Sequence, residues 1–472
     1  MRTDTDALCK CGIILKVTEC LTMSVGWANL PILPLRCILE HLSANDALAA
    51  TSTCQHWRSA IHLYEGHKEV TKLSVKNIEK SMFLTRMFKK YTKHLHIYID
   101  TTVVEELVSF MNYILPLYFE TINLTEVAFL GPSYILKNPN VPIPQLQRII
   151  VETLVFKNLH SLQRLILTGC EMGTPKNEND RYVHKNVEYY SRPLTFSTKR
   201  CLDDTILTRS NVGLMMFSKL KSIVIDYEYL NSAAVNTLSR LPELSLLTLN
   251  IGHKRPLTLP RFEWPPETLN VAINVIAVPL HRFNDIIEHV FVRGLLLVSL
   301  KVMFCKTFHV PLLSHLSRLY KSTLQEFVWV DAPCMSTTPF YRVVKPEPYD
   351  VCVNHILLMC WQCVQLRRLV IHGYWLWQYD VLGIVRLRRS LEHLELSAVY
   401  GQQNHFGTAD NRILRVLAND DLDILEAQYI VKINEHTQFK WAPTTYEALP
   451  PALKLNATSK DRADYYMREA SI

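Results

Sequence analysis

A chain of 472 residues with 48% apolar side chains can fill the core of two or three ordinary domains or of one elongated repeat body, which excludes a disordered polymer. Its 51 basic and 44 acidic residues are interspersed, so the net charge of +7 makes a mixed solvated surface and lacks the clustered basic stripe of a nucleic-acid reader. With 13 glycines and neither GxxxxGK[ST] nor GxGxxG, the chain has no phosphate-cradling loop.

Residues 1–24 are expected to form a disordered lead-in, and a start at Met23 would leave the next block whole. "CGIILKV" is too short for a secretory h-region and is broken by Lys16 and Glu19. The most apolar later run, "VFVRGLLLVSLKVMF", contains Arg293 and Lys301 and falls short of the roughly 18 apolar residues of a membrane span. No membrane partner is expected. Cys9, Cys11 and Cys20 match no metal-ligand spacing, and Cys360 and Cys363 form a lone CxxC that reads as a buried helix face. Scattered, reduced thiols point to the cytoplasm or the nucleus, and no metal or cofactor site is expected.

Residues 25–68 form a separate block. The stretch "WANLPILPLRCILEHLSANDALAATSTCQHWRSAI", 27–61, reads as three short helices. Pro34 lies near the start of the first, where a missing N–H costs little. Leu35, Ile38, Leu39 and Leu42 share one face, "SAND" interrupts, Ala47 to Ala50 make a brief second helix, and Cys54, Trp57 and Ile61 recur at three and four on the third. So short a block cannot turn Leu30, Pro31, Leu35, Ile38, Leu42 and Trp57 all inward, and an uncovered apolar patch marks an interface.

From 69 to 430 one phrase recurs: apolar, two variable, apolar, one variable, apolar. It appears as "VTKLSV" at Val70, "FETINL" at Phe119, "LQRLIL" at Leu162, "LKSIVI" at Leu220, "LSLLTL" at Leu244, "LVSLKV" at Leu297, "LQEFVW" at Leu324, "LRRLVI" at Leu366 and "LEHLEL" at Leu391. Weaker copies begin at Thr92, Pro266 and Leu422. Many separations are about 22 to 31 residues, the leucine-rich-repeat range. The fourth and sixth positions are expected to point inward from a short strand. Cys170 and Cys305 stand at the ninth position of their copies, where such repeats use Asn or Cys. Amphipathic stretches such as "NSAAVNTLSRLPEL" and "HVPLLSHLSRLYKSTL" are the helices that return the chain to the next strand. The fold class is therefore α/β: a three-helix block followed by a degenerate leucine-rich-repeat-like solenoid, with a parallel sheet on the concave side and helices outside.

Two polar stretches, about 173–211 and 331–350, read as insertions between repeats, and 431–472 as a C-terminal cap or tail. The third, fifth and seventh strand positions should face outward on the sheet, which makes Arg164, Ile166, Val224, Lys301, Val328, Arg368 and Val370 candidates for binding a protein. The aromatic run "GYWLWQYD" adds Trp375 and Trp377.

The block at 25–68 resembles an F-box. The resemblance rests on Trp27, the Leu30–Pro31 pair, Ile38, Leu42, Asp46, Leu48 and the run Cys54-Gln55-His56-Trp57-Arg58, while Pro34 stands where the family usually has Glu or Leu. Followed by LxxLxL repeats, it is similar to the leucine-rich-repeat and "F-box only" substrate receptors. The resemblance implies docking on the adaptor Skp1 through Leu30, Pro31, Leu35, Ile38, Leu42, Leu48 and Trp57, and through Skp1 a cullin and a RING subunit. The repeat body would select a protein for ubiquitination by recruited enzymes. A scaffold tethered to Skp1 without ubiquitin transfer is the alternative. An enzyme on an α/β body is a third reading, for which no HExxH, GxSxG or RING-type Cys/His spacing is found.

Overall fold

The computed structural model describes residues 26–42, 46, 49–63, 69–101, 103–132, 134–136, 154–155, 157–169, 217–227, 230–252, 259–265, 269–332, 355–374, 376–397, 399–400 and 427–471. The lead-in 1–24, the 173–211 insertion, Leu48, Cys9, Cys11, Cys20, Cys170, Trp375 and the weak copy at Leu422 lie outside these residues. So does the 331–350 insertion beyond Ala332. The chain divides into two compact units, one ending at Glu69 and one beginning at Val70.

In the first unit, α1 (Ile32–His41) packs on α2 (Gln55–Leu63). The helix starts at Ile32, so Pro34 sits in its first turn, where an N–H would have no intrahelical partner. Residues 46 and 49–50 are helical between them.

The second unit is built on eleven parallel strands among the described residues. These are β1 (Val70–Ser74), β2 (His94–Tyr98), β3 (Glu126–Leu130), β4 (Arg164–Thr168), β5 (Ser222–Asp226), β6 (Leu246–Ile251), β7 (Asn270–Ile276), β8 (Leu296–Met303), β9 (Glu326–Val330), β10 (Arg368–His372) and β12 (His393–Leu396). A short pair, β11 (Leu376–Trp377) and β13 (Val399–Tyr400), lies beside them. In the main sheet each strand pairs with the next in sequence. Parallel neighbours need a crossover, and crossovers that always step to the next strand make a solenoid-like stack.

The helices α3 (Ile78–Phe88), α4 (Val104–Tyr113), α5 (Ser232–Leu238), α6 (Phe283–His289), α7 (Val310–Leu319), α8 (His355–Gln362) and α9 (Gln378–Leu387) cover one face of the sheet. Leu95, Val127, Leu165, Ile223, Leu247, Val271 and Leu297 form one inward row, each directly opposite the next. A β-bulge between β7 and β8 then shifts the register, so Leu300, Phe327, Leu369 and Leu394 continue the row of Ile273 instead. Four strands end in a residue with positive φ: Gly169 after β4, Ala277 after β7, Phe304 after β8 and Gly373 after β10. The left-handed step costs the two non-glycine residues about 1–2 kcal/mol each, and it turns the chain sharply away from the strand end.

One repeat is misplaced by its sequence phrase. "FETINL" puts Ile122 and Leu124 inward, whereas Ile122 is 65% exposed and the strand starts at Glu126. The working phrase is "LTEVAF" from Leu124, with Leu124, Val127 and Phe129 in the core. Asn123, at φ 66, makes the turn that separates the two readings.

After the last strand, α10 (Ala427–Asn434) packs on α9, and Ile433 and Trp441 enter the helix-side core. The Thr444 N–H donates to the Leu396 carbonyl at the open edge of β12. Beyond it the chain does not stay at this end. Residues 446–471, including α11 (Ser459–Glu469), run back over the sheet face opposite the helices. Among the described residues no helix is long and apolar enough to cross a membrane, and no three His, Cys, Asp or Glu side chains are grouped to hold a metal ion.

Candidate functional site

Two surfaces carry the candidate residues, one in each unit. In the head, Leu35 and Leu39 are fully buried against Ala60 and Ile61, with Leu42, Ala50 and Trp57 packed around them. Among the described residues these four make up the buried cluster of the head, and the segment before α1 is fastened to it by hydrogen bonds. The Trp57 indole N–H donates to the Trp27 carbonyl at 2.8 Å, His56 Nε2 lies 2.6 Å from the Leu30 carbonyl, and the Arg58 Nε–H donates to the Thr51 carbonyl at 2.9 Å. The Cys-Gln-His-Trp-Arg run is thus a clasp that ties residues 27–30 and 51 to α2.

Of the sequence-predicted contacts, Leu35 is an interior residue and not a free surface group, because it faces α2. Pro31 is exposed, Leu30, Ile38, Leu42 and Trp57 are half-buried, and Leu48 lies outside the described residues. The most exposed apolar groups of the head are Trp27 at 73%, which carries the resemblance but is not among the expected Skp1 contacts, and Leu33 at 71%, with Ile32 beside them. For Leu33 the signal was available: in a helix beginning at Ile32 it lies off the stripe of Leu35 and Leu39, whereas Ile32 shares that stripe and is exposed at the helix start.

In the body, the predicted outward face is occupied by the chain itself. Ile166, Val224, Val328 and Val370 are buried beneath Leu449, Ala452, Leu453, Ala463, Tyr465, Tyr466, Met467 and Ala470. Their availability as an open protein-binding column is therefore corrected by the structure: the alternating pattern shows that they leave the helix-side core, but not what meets them outside. The bulge also separates them, since Ile166 and Val224 pair directly while Val328 and Val370 stand opposite Lys301, one row further along. Trp377 is in β11, and its side chain lies outside the described set.

The charged candidates hold the end of α11. Lys301 Nζ donates to the Glu469 carbonyl at 3.0 Å, Asn274 Nδ2 to the Ala470 carbonyl at 3.4 Å, and the Arg164 guanidinium to the Ser471 carbonyl. The last carbonyls of a helix have no intrahelical partner and carry the negative end of its dipole, so cations and amides there are favourable. Lys301 is buried, and Glu326 and Glu469 each lie 3.9 Å from it. Burial pushes the Glu326 carboxyl up, but Lys301, the Ser299 hydroxyl at 2.5 Å and Arg368 outweigh it and hold it below its ordinary value. Glu126, between His94, His96 and Arg164, is lowered against burial in the same way. At the far end, Glu395 is lowered to about 2 by the His372 hydrogen bond at 3.0 Å, with His393 adding to it against burial.

The tail is seated by contacts of its own. The Tyr466 hydroxyl donates to the Gly131 carbonyl at 2.5 Å, and its ring packs 5.7 Å from that of Tyr134. Tyr465 meets Phe304 edge-on. A Cβ on Gly169 would come within 2.1 Å of the Gly131 oxygen and 2.7 Å of the Tyr466 hydroxyl, so at φ +66 only glycine leaves room for the tail. Thr458 caps α11 reciprocally with Asp461.

Two features define the class of molecule: a small helical head with exposed apolar groups on its first turn, and a body built on eleven sequentially ordered parallel strands among the described residues. Residues 27–68 match the family model of the F-box domain. The chain thus carries an F-box domain, a head of the kind that binds Skp1 in SCF-type ubiquitin ligases. A search of curated proteins gave no match to the chain.

Proposed function

We propose that this protein is a substrate receptor of a Skp1–cullin–F-box ubiquitin ligase, docking through its head and selecting a protein with its repeat body. The observation that carries the reading is the head itself: Leu33, Ile32, Pro31 and Trp27 project apolar surface from a block whose few core residues are already spent on Leu35 and Leu39. Covering a large apolar side chain contributes roughly 1.5–3 kcal/mol, so a handful of such anchors supports tight association. Ubiquitin transfer belongs to the recruited enzymes, and the working compartment is the cytoplasm or the nucleus.

The test is capture of Skp1 and a cullin by the full chain, beside Leu33→Ala and Leu35→Ala. Leu33→Ala should leave the fold unchanged and weaken Skp1 capture by on the order of 10–100-fold. Leu35→Ala should reduce capture by loosening the head. A wild-type chain that captures Skp1 without a cullin would replace the receptor by the tethered scaffold, and one that captures neither would end both readings.

A further inference from the structure

The tail defines the chemistry of the surface it covers. Ala463, Tyr466 and Met467 on α11 and Ala470 at its C-cap, spaced by three, four and seven, form one stripe that is buried on the sheet, while Arg468 on the other side stays exposed. The sheet answers this stripe with Ala128, Ile166, Val224, Ile276, Met303 and Val328. It answers the helix end with three donors on three different strands, Arg164, Asn274 and Lys301. Those donors meet backbone carbonyls, which every helix end offers, so they recognise an end and not a particular side chain. An isolated helix as short as α11 is marginal in water, so it owes its order to docking. A surface that orders a short amphipathic segment, reads its apolar stripe and caps its last turn has the properties of a helix-in-groove site.

We propose that the sheet face from β3 to β10 is a docking groove for a short amphipathic helix of a partner protein, and that residues 459–471 are the chain's own competitor for it. The partner helix carries small residues at either end of its stripe and an aromatic–Met pair between them, and its last turn lies over Lys301, Asn274 and Arg164. This deepens the receptor reading above and rests on it for the identity of the partner as substrate. A segment tethered in cis competes at an effective concentration in the millimolar range. The groove therefore opens to partners that bind more tightly than the tail or that arrive when the tail is loosened.

The experiment uses the full chain and a fluorescent peptide with the sequence of residues 456–471. Tyr466→Ala with Met467→Ala in the chain loosens the tail. The peptide should bind this variant about ten-fold or more tighter than wild type. Adding Lys301→Met should weaken that uptake several-fold, and a peptide with the same two alanines should not bind. A variant with native circular dichroism and melting that takes up peptide no better than wild type overturns the proposal. Should the variant fail to fold, amide exchange on the wild-type chain decides. Exchange of 459–471 well before β6–β9 supports a displaceable tail, and exchange only together with the sheet overturns it. Skp1 and cullin capture are measured on the same samples. Peptide failure with capture intact removes the groove alone, and loss of cullin capture with peptide uptake intact removes the receptor reading alone.

Discussion

The two faces of the sheet are built by different rules. Toward the helices every inward position from β2 to β12 is filled by Leu, Ile, Val, Phe or Trp, and the residues stack opposite one another. Toward the tail the same strands present Val, Ile and Met mixed with Ala, Thr, Ser, Asn, Asp, Lys, Arg and Glu in no repeating order. A face that meets mainly its own succession of helices needs one residue type at one spacing. A face covered by a single, unrepeated segment must match that segment residue by residue, so its composition follows the segment and not the repeat.

The largest effect expected from breaking this contrast is on the helix side. Trp329 is buried among Phe283, Phe308, Phe327 and Tyr374, and its indole N–H donates to the Thr307 carbonyl. Trp329→Ala should cost about 3–5 kcal/mol, read as a lowered denaturation midpoint of the whole body. Tyr466→Ala on the tail side should cost at least ~2 kcal/mol, through lost packing and the lost bond to Gly131, but only locally. Amide exchange should show protection vanishing over 459–471 while β6–β9 keep theirs; equal loss in the sheet would make the two faces one cooperative core.

Lys301→Met comes next, at about 1–3 kcal/mol, because it strands the Glu469 carbonyl and removes one partner of Glu326 while Arg368 stays. The same exchange measurement reads it. Acid should act on the tail face through Glu395. Its folded pKa is depressed below the ordinary value of 4.5 to about 2, so the unfolded chain takes up the proton first as pH falls. The contribution is complete above about pH 5 and is lost between there and about pH 2, and His372→Asn should flatten that part of a stability-versus-pH curve. The smallest effect is at the misplaced repeat: Ile122→Ser should stay within about 0.5 kcal/mol of wild type, whereas Leu124→Ser should be plainly destabilising. Equal losses at both would restore the "FETINL" register.

The helix-side core was legible because alternation within a strand and recurrence between strands are properties of sequence alone. Leu165 and Leu167, Ile223 and Ile225, Leu369 and Ile371 all follow from their phrases. The "FETINL" error has the same origin, since Ile122 and Leu124 carry the right spacing by chance and only the left-handed turn at Asn123 shows which pair enters the sheet. In the head, the Cys54–Arg58 run was legible as a motif but its clasp was not. Hydrogen bonds from Trp57, His56 and Arg58 to distant carbonyls involve backbone groups that every residue possesses, so side-chain identity does not announce them.

What the sequence by itself determined is the periodic part: a parallel repeat body, the inward rows of each strand, and a head too small to cover its own apolar groups. What only the tertiary structure decided is which side of that body is free. The course of residues 446–471 depends on contacts across more than three hundred positions, such as Tyr466 to Gly131. The bulge between β7 and β8 re-pairs whole rows that read identically in sequence. Period-2 patterning records that a residue leaves one core, and only the folded chain shows that a second one receives it.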